Sequence, residues 1–263
     1  MNTTYPSDLS DDEWKCIQHY LPREPLRGRP PLHSLRTICN AIFYVLKTGC
    51  PWRYLPSSFP PWQAVFSHFR RWRLKGNWYR LFTALRTAER ERVGKEPDPS
   101  AAIMDSQSVK TVEESASISG FDTHKHSKGR KRHLLVDTLG LPLSVYVTPA
   151  DMHDTLGARR HLAGLAPVTP RLKKIWADGA YRGQALADWC KAEGGWDIEV
   201  VEREPGVRGF SIQPRRWVVE RTFGWLSRSR RLSKEYERKV QTSETFIEVA
   251  MIRLLVARLG RKT

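Results

Sequence analysis

Apolar residues recur at three- and four-residue spacing through the first third of the chain, and strand-like runs dominate after it. The pattern predicts a helical front and a mixed strand-and-helix back. Ser10-Asp11-Asp12-Glu13 has capping-box spacing ahead of Trp14 and Ile17, and Pro22 is expected to close that first helix. A basic, proline-rich connector, REPLRGRPP, follows. The second helix is read from about Ser34 to Lys47, with Leu35, Ile38, Ile42 and Val45 on one face and TGCP as its stop. A third starts near Pro61 and ends at Lys75-Gly76, with Val65, Phe69 and Trp72 as its stripe. A fourth runs from Asn77 to Val93, carrying Trp78, Leu81, Leu85 and Ala88 inward.

GKEPDPS, from Gly94 to Ser100, is the linker, because Pro97 and Pro99 exclude regular helix. Beyond it AAIMDSQSVK reads as a strand carrying Asp105, and the stretch to Ser127 is too polar to assign. KRHLLVDTLGLPLSVYVTPA reads as a hairpin turning at Thr138 to Leu141, where Asp137 serves as a turn acid. A helix from Asp154 to Leu165 follows, then a short strand ending in Asp178, a helix from Gly183 toward Lys191, and the strand WDIEVVERE. Phe246 to Leu259 makes a last helix, read as a cover for the sheet. This order fits a mixed α/β sheet covered by helices.

The segment Arg215 to Ser227, RRWVVERTFGWLS, organises the chemistry. As a helix it sets Val219, Phe223 and Leu226 in one stripe with Glu220 about 60° round from Phe223, so Glu220 is expected to be half-buried. Arg216 lies one turn before it, and an i,i+4 ion pair alone would be worth roughly 0.2 to 0.5 kcal/mol. Asp105 and Asp178 sit on strands that a crossover helix can make neighbours, which would bring both to the edge that Glu220 reaches.

Composition sharpens this picture. The 263 residues carry a net charge of +16 with a pI near 10.0 and 40% apolar residues, which points to a packed protein with a polyanionic partner, nucleic acid foremost. With no long apolar run and a polar start, MNTTYPSDLSDDE, a membrane span and a signal peptide are not expected, and the chain reads as cytoplasmic. Cys16, Cys39, Cys50 and Cys190 stand far apart, and reduced thiols are expected. Arg70, Arg71 and Arg73 decorate the third helix of a helix-turn-helix-like arrangement that could enter a major groove. The stretch from His124 to His133 contains Lys128, Arg130, Lys131 and Arg132 without an acid, and reads as a phosphate-facing run rather than a zinc site, for which the spacing is wrong.

Three converging carboxylates repel one another unless a cation joins them. Their oxygens select hard divalent ions, Mg²⁺ or Mn²⁺, and a pair of such ions suits phosphodiester chemistry on nucleic acid. The motifs SDLSDDEW, GRPP, TGCPWRYLP, MDSQSVKT, GRKRHLLVDTLG, ADGAYRG and RRWVVERTFGWL, in that order, resemble the bacterial DDE transposases of the insertion sequence five family.

The resemblance covers essentially the whole chain. It implies an RNase H-like catalytic domain over 101–263 behind a helical DNA-binding domain over 1–95. It also implies an acidic triad of Asp105, Asp178 and Glu220 that holds two ions, with Arg216 as the family's basic residue. Gln213 stands where relatives carry Tyr, and Ser227, beside Arg228, stands where a basic residue is expected. The expected activity is cleavage at terminal inverted repeats and joining of the 3′ ends to target DNA by a homodimer or higher oligomer. An RNase H-like nuclease or resolvase and a domesticated DNA-binding regulator are the alternatives.

Overall fold

The computed structural model describes residues 5–22, 32–115, 117–201 and 215–261. The basic connector and Gln213 lie outside them. The chain divides into two compact units: one holds 1–93, 226–233 and 245–263, the other 94–225 and 234–244.

The first unit is helical. In α1 (Asp11–Ile17) the side chain of Ser10 accepts from the Glu13 N–H and Glu13 reaches back to the Ser10 N–H, the reciprocal cap that its sequence predicts. The helix ends at Ile17, ahead of Pro22. α2 (Leu35–Thr48) stops where Gly49 takes φ 73°, a conformation glycine adopts without strain. α3 (Trp62–Leu74) and α4 (Asn77–Arg92) bury Val65, Phe69, Trp72, Trp78, Leu81 and Leu85, and the Trp78 indole N–H donates to the Phe69 carbonyl at 3.2 Å. The carboxy-terminal part of α8 (Val240–Leu259) completes this core. Phe246 stacks on Phe69 with centroids 4.7 Å apart, and Arg253 donates to Glu13 at 2.8 Å. The last helix, expected to cover the sheet, therefore packs most of its length among the helices of the first unit.

The second unit is built on a six-stranded mixed sheet. Its strands are β1 (Ala101–Lys110), β2 (Gly120–Asp122), β3 (Ser127–Asp137), β4 (Pro142–Pro149), β5 (Lys174–Ala177) and β6 (Asp197–Val200). The order is β2-β3-β1-β5-β6, with β4 paired to β3; the β1–β3 and β3–β4 pairs are antiparallel and the β1–β5 and β5–β6 pairs parallel. Asp137 closes the β3–β4 hairpin by accepting from the N–H groups of Leu139 and Leu141. α5 (Asp154–Leu162) and α6 (Gln184–Gly194) share a core with Ala102, Met104, Leu135, Ile175 and Ala177, alternate residues of β1, β3 and β5. α7 (Trp217–Ser227) is fixed by Thr222, whose hydroxyl donates to the Gly140 carbonyl at 2.8 Å.

Among the described residues, no helix is long and apolar enough to cross a membrane. All four cysteines are free; Cys39 and Cys190 are buried, and Cys16 and Cys50 partly so.

Candidate active site

β1 and β5 run parallel with Ala101, Ala102 and Ile103 opposite Lys174, Ile175 and Trp176. Two residues further along each strand, Asp105 comes level with Asp178. Side chains alternate, so both acids fall on the face of Ile103 and Trp176, away from the Met104 and Ala177 side that packs with α5 and α6.

The two are held alike. Oδ1 of Asp105 accepts from the Ser106 N–H at 2.7 Å, and Oδ1 of Asp178 accepts from the Ala180 N–H at 2.9 Å as the cap of a 3-10 turn, Gly179–Tyr181. Their other oxygens face one atom. Nη2 of Arg216 lies 3.9 Å from Asp105 Oδ2, 3.6 Å from Asp178 Oδ2 and 3.7 Å from Glu220 Oε1. These are ion-pair separations, longer than hydrogen bonds.

Just before Arg216, Arg215 takes φ 70°, uncommon for a residue with a Cβ, and its guanidinium lies 4.1 Å from the centre of the Trp176 ring. Both neighbouring arginines are thus tied to the β5 side of the site.

Glu220 is the most exposed of the three acids, with 53% of its side chain exposed against 28% for Asp178 and 14% for Asp105. Val218 and Thr222 are buried beside Val219 and Phe223. They widen the apolar arc on the side away from Glu220, which turns it outward with Trp217 and Gly224. Burial, then the charge of Asp178, push the Asp105 carboxyl up to about 7. Three formal negative charges thus face one guanidinium. Among the described residues, no group of three or more His, Cys, Asp or Glu side chains is placed to hold a metal ion with the side chains as they stand.

Residues 96–255 match the family model described as "Transposase DDE domain", and residues 9–82 match one described as "Putative transposase of IS4/5 family". The chain belongs to the DDE transposase family. A DDE domain implies an RNase H-like fold, which the mixed sheet behind a helical front fits. The chain is similar to a Burkholderia cepacia protein described as "Putative transposase for insertion sequence element IS402". The two are 27% identical over 135 residues, 48% of this chain and 63% of the relative. It is also 34% identical to the same organism's "Insertion element IS402 uncharacterized 16.2 kDa protein" over 111 residues, 40% of this chain and 74% of that relative.

The basic residues of the chain divide by exposure. Arg70 and Arg71 are exposed on α3, Arg73 is half-buried there, and Lys128 and Arg228 are exposed. Arg130, Lys131 and Arg132 do not face phosphates as expected. Arg130 is fully buried and donates to the carbonyls of Ser115, Ile118, Glu237 and Arg238, while Arg132 is paired with the buried Glu235. Lys131 points to the other face, where its ammonium donates to Met152 O and Asp154. Alternation along β3 is the cause, since a run of cations in a central strand enters the interior on both faces. The two N–H groups that orient Asp105 and Asp178 belong to the backbone and leave no residue-type signal in a sequence.

Proposed function

We propose that this chain is the transposase of an insertion sequence. It would bind terminal inverted repeats, cleave the element ends and join the 3′ ends to target DNA. The observation that carries the reading is the convergence of one oxygen each from Asp105, Asp178 and Glu220 on a single nitrogen of Arg216. Three carboxylates form a hard oxygen donor set suited to Mg²⁺ or Mn²⁺, and burial, then the charge of Asp178, raise the pKa of Asp105 despite the nearby guanidinium.

Asp105, Asp178 and Glu220 would hold two such ions once the Arg216 side chain swings aside. When bound, they supply activation of an attacking oxygen and stabilisation of the leaving alkoxide. Ser106 and Ala180 keep the two aspartates oriented through their N–H groups, and the released Arg216 meets a DNA phosphate. Residues 1–95 would recognise the repeat ends through Arg70, Arg71 and Arg73, with Lys128 and Arg228 adding phosphate contacts. Residues 101–263 would form the catalytic domain. The working form would be a homodimer or higher oligomer on DNA, in the bacterial cytoplasm.

The test is cleavage and strand transfer on repeat-end DNA with Mg²⁺ or Mn²⁺. Asp105→Asn, Asp178→Asn and Glu220→Gln should each abolish both steps while leaving a folded protein. A triad variant that cleaves like the wild type would overturn the assignment. Cleavage without transfer of a pre-cut 3′ end would make the chain a nuclease instead.

A further inference from the structure

Behind the acids, on the opposite face of the sheet, a second group of polar side chains is joined to them through one residue. Ser106 uses its N–H to hold Asp105 Oδ1 at 2.7 Å, and its hydroxyl donates to Asp154 Oδ1 at 2.8 Å. Asp154 opens α5 and is itself gripped from β3, where the Lys131 ammonium lies 3.2 Å from Oδ1 and also donates to the Met152 carbonyl at 2.9 Å. Tyr181, three residues after Asp178 and 1% exposed, closes this side; burial, Asp105 and Asp154 all raise its hydroxyl above its usual range. The chain Lys131–Asp154–Ser106 therefore connects β3 and the start of α5 to the orientation of one acid.

The geometry points to Ser106 and Asp154 as positioning residues that set the angle at which Asp105 presents its free oxygen to divalent ions. Asp154 opens α5 on the face of the sheet opposite Asp105, and Ser106 joins the two. Through the Ser106 hydroxyl it ties β1 to the start of α5 at the residue whose N–H holds Asp105. An outer-shell partner of this kind typically changes metal affinity by about 10- to 100-fold when removed. An acid at the first turn of α5 would also favour that helix end by charge alone, and the test has to separate the two roles.

The inference rests on the metal-binding reading above. The measurement is the Mn²⁺ concentration that gives half the full rise in melting temperature of the intact chain, beside the Mn²⁺ midpoint for cleavage. Ser106→Ala and Asp154→Asn should raise both midpoints on the order of tenfold, and Ser106→Thr, which keeps a hydroxyl, should restore them. Wild-type midpoints in Ser106→Ala, or an Asp154→Asn variant that melts earlier with its Mn²⁺ midpoint unmoved, would leave a helix-end role and overturn the inference. A wild type whose melting ignores Mn²⁺ overturns the metal reading itself, and this inference with it.

Discussion

Two charge clusters in the sheet unit have opposite compositions. Around Arg216, three carboxylates face one guanidinium at 3.6 to 3.9 Å, at the rim of the sheet. Around Glu235, two guanidinia share one carboxylate, with Arg130, Arg132 and Glu235 all 0 to 1% exposed. The second cluster is closed internally. Glu235 accepts from Ser243 at 2.6 Å as well as from Arg132, and the Arg130 donors are taken up by four backbone carbonyls. In the first, Asp105 and Asp178 each accept one backbone N–H, three carboxylates outnumber the guanidinium they face, and Glu220 is 53% exposed. The cluster around Glu235 is closed by the protein's own groups, and the ligand role proposed for the acids around Arg216 rests on their unequal charge.

Opening the closed cluster should have the greatest consequence for stability. Glu235→Ala leaves two buried guanidinia short of a carboxylate and should cost about 3 to 5 kcal/mol. Denaturant midpoints would read this, with activity following the folded fraction. A midpoint that hardly moves would mean that the network contributes nothing to the fold.

The open cluster should respond to pH instead. The folded pKa of Asp105, about 7, lies above its ordinary 3.8. Its contribution to stability is therefore fully present below about pH 4 and lost as pH rises through 7. Asp105→Asn should match the wild type near pH 4 and exceed it at pH 8 by at most a few kcal/mol, since each tenfold change in proton affinity corresponds to about 1.4 kcal/mol. Paired pH-dependent melting curves check this, and parallel curves would refute it.

At the exposed end of the basic run the consequences are slight. Lys128→Ala should leave stability unchanged and reduce the log-log salt slope of DNA binding by about 0.9. Arg132→Ala should act through unfolding. A folded Arg132→Ala variant with a reduced slope would return Arg132 to the DNA surface.

The parts of the site that depend on local periodicity are legible in the sequence. The strand, crossover and strand pattern places Asp105 beside Asp178, and Glu220 has its helix. What Arg216 does beyond its i,i+4 partner is not legible, because its contacts with Asp105 and Asp178 are tertiary. The run from Lys128 to Arg132 misleads for the same reason: its compensating acid, Glu235, is 103 residues from Arg132 in sequence. The last helix shows a third limit. An apolar stripe reports that a helix is buried and says nothing about which core receives it, and here Phe246 meets Phe69 rather than the sheet.

The measurement closest to the central claim is the melting temperature of the wild type and Asp105→Asn at pH 8, with and without Mn²⁺. If the open cluster exists to take divalent ions, Mn²⁺ at 100 times its dissociation constant should stabilise the wild type by about 2.7 kcal/mol. Asp105→Asn should gain far less and, without added metal, melt at or above the wild type. An Asp105→Asn protein that loses stability without metal and keeps the full response to Mn²⁺ would contradict the account.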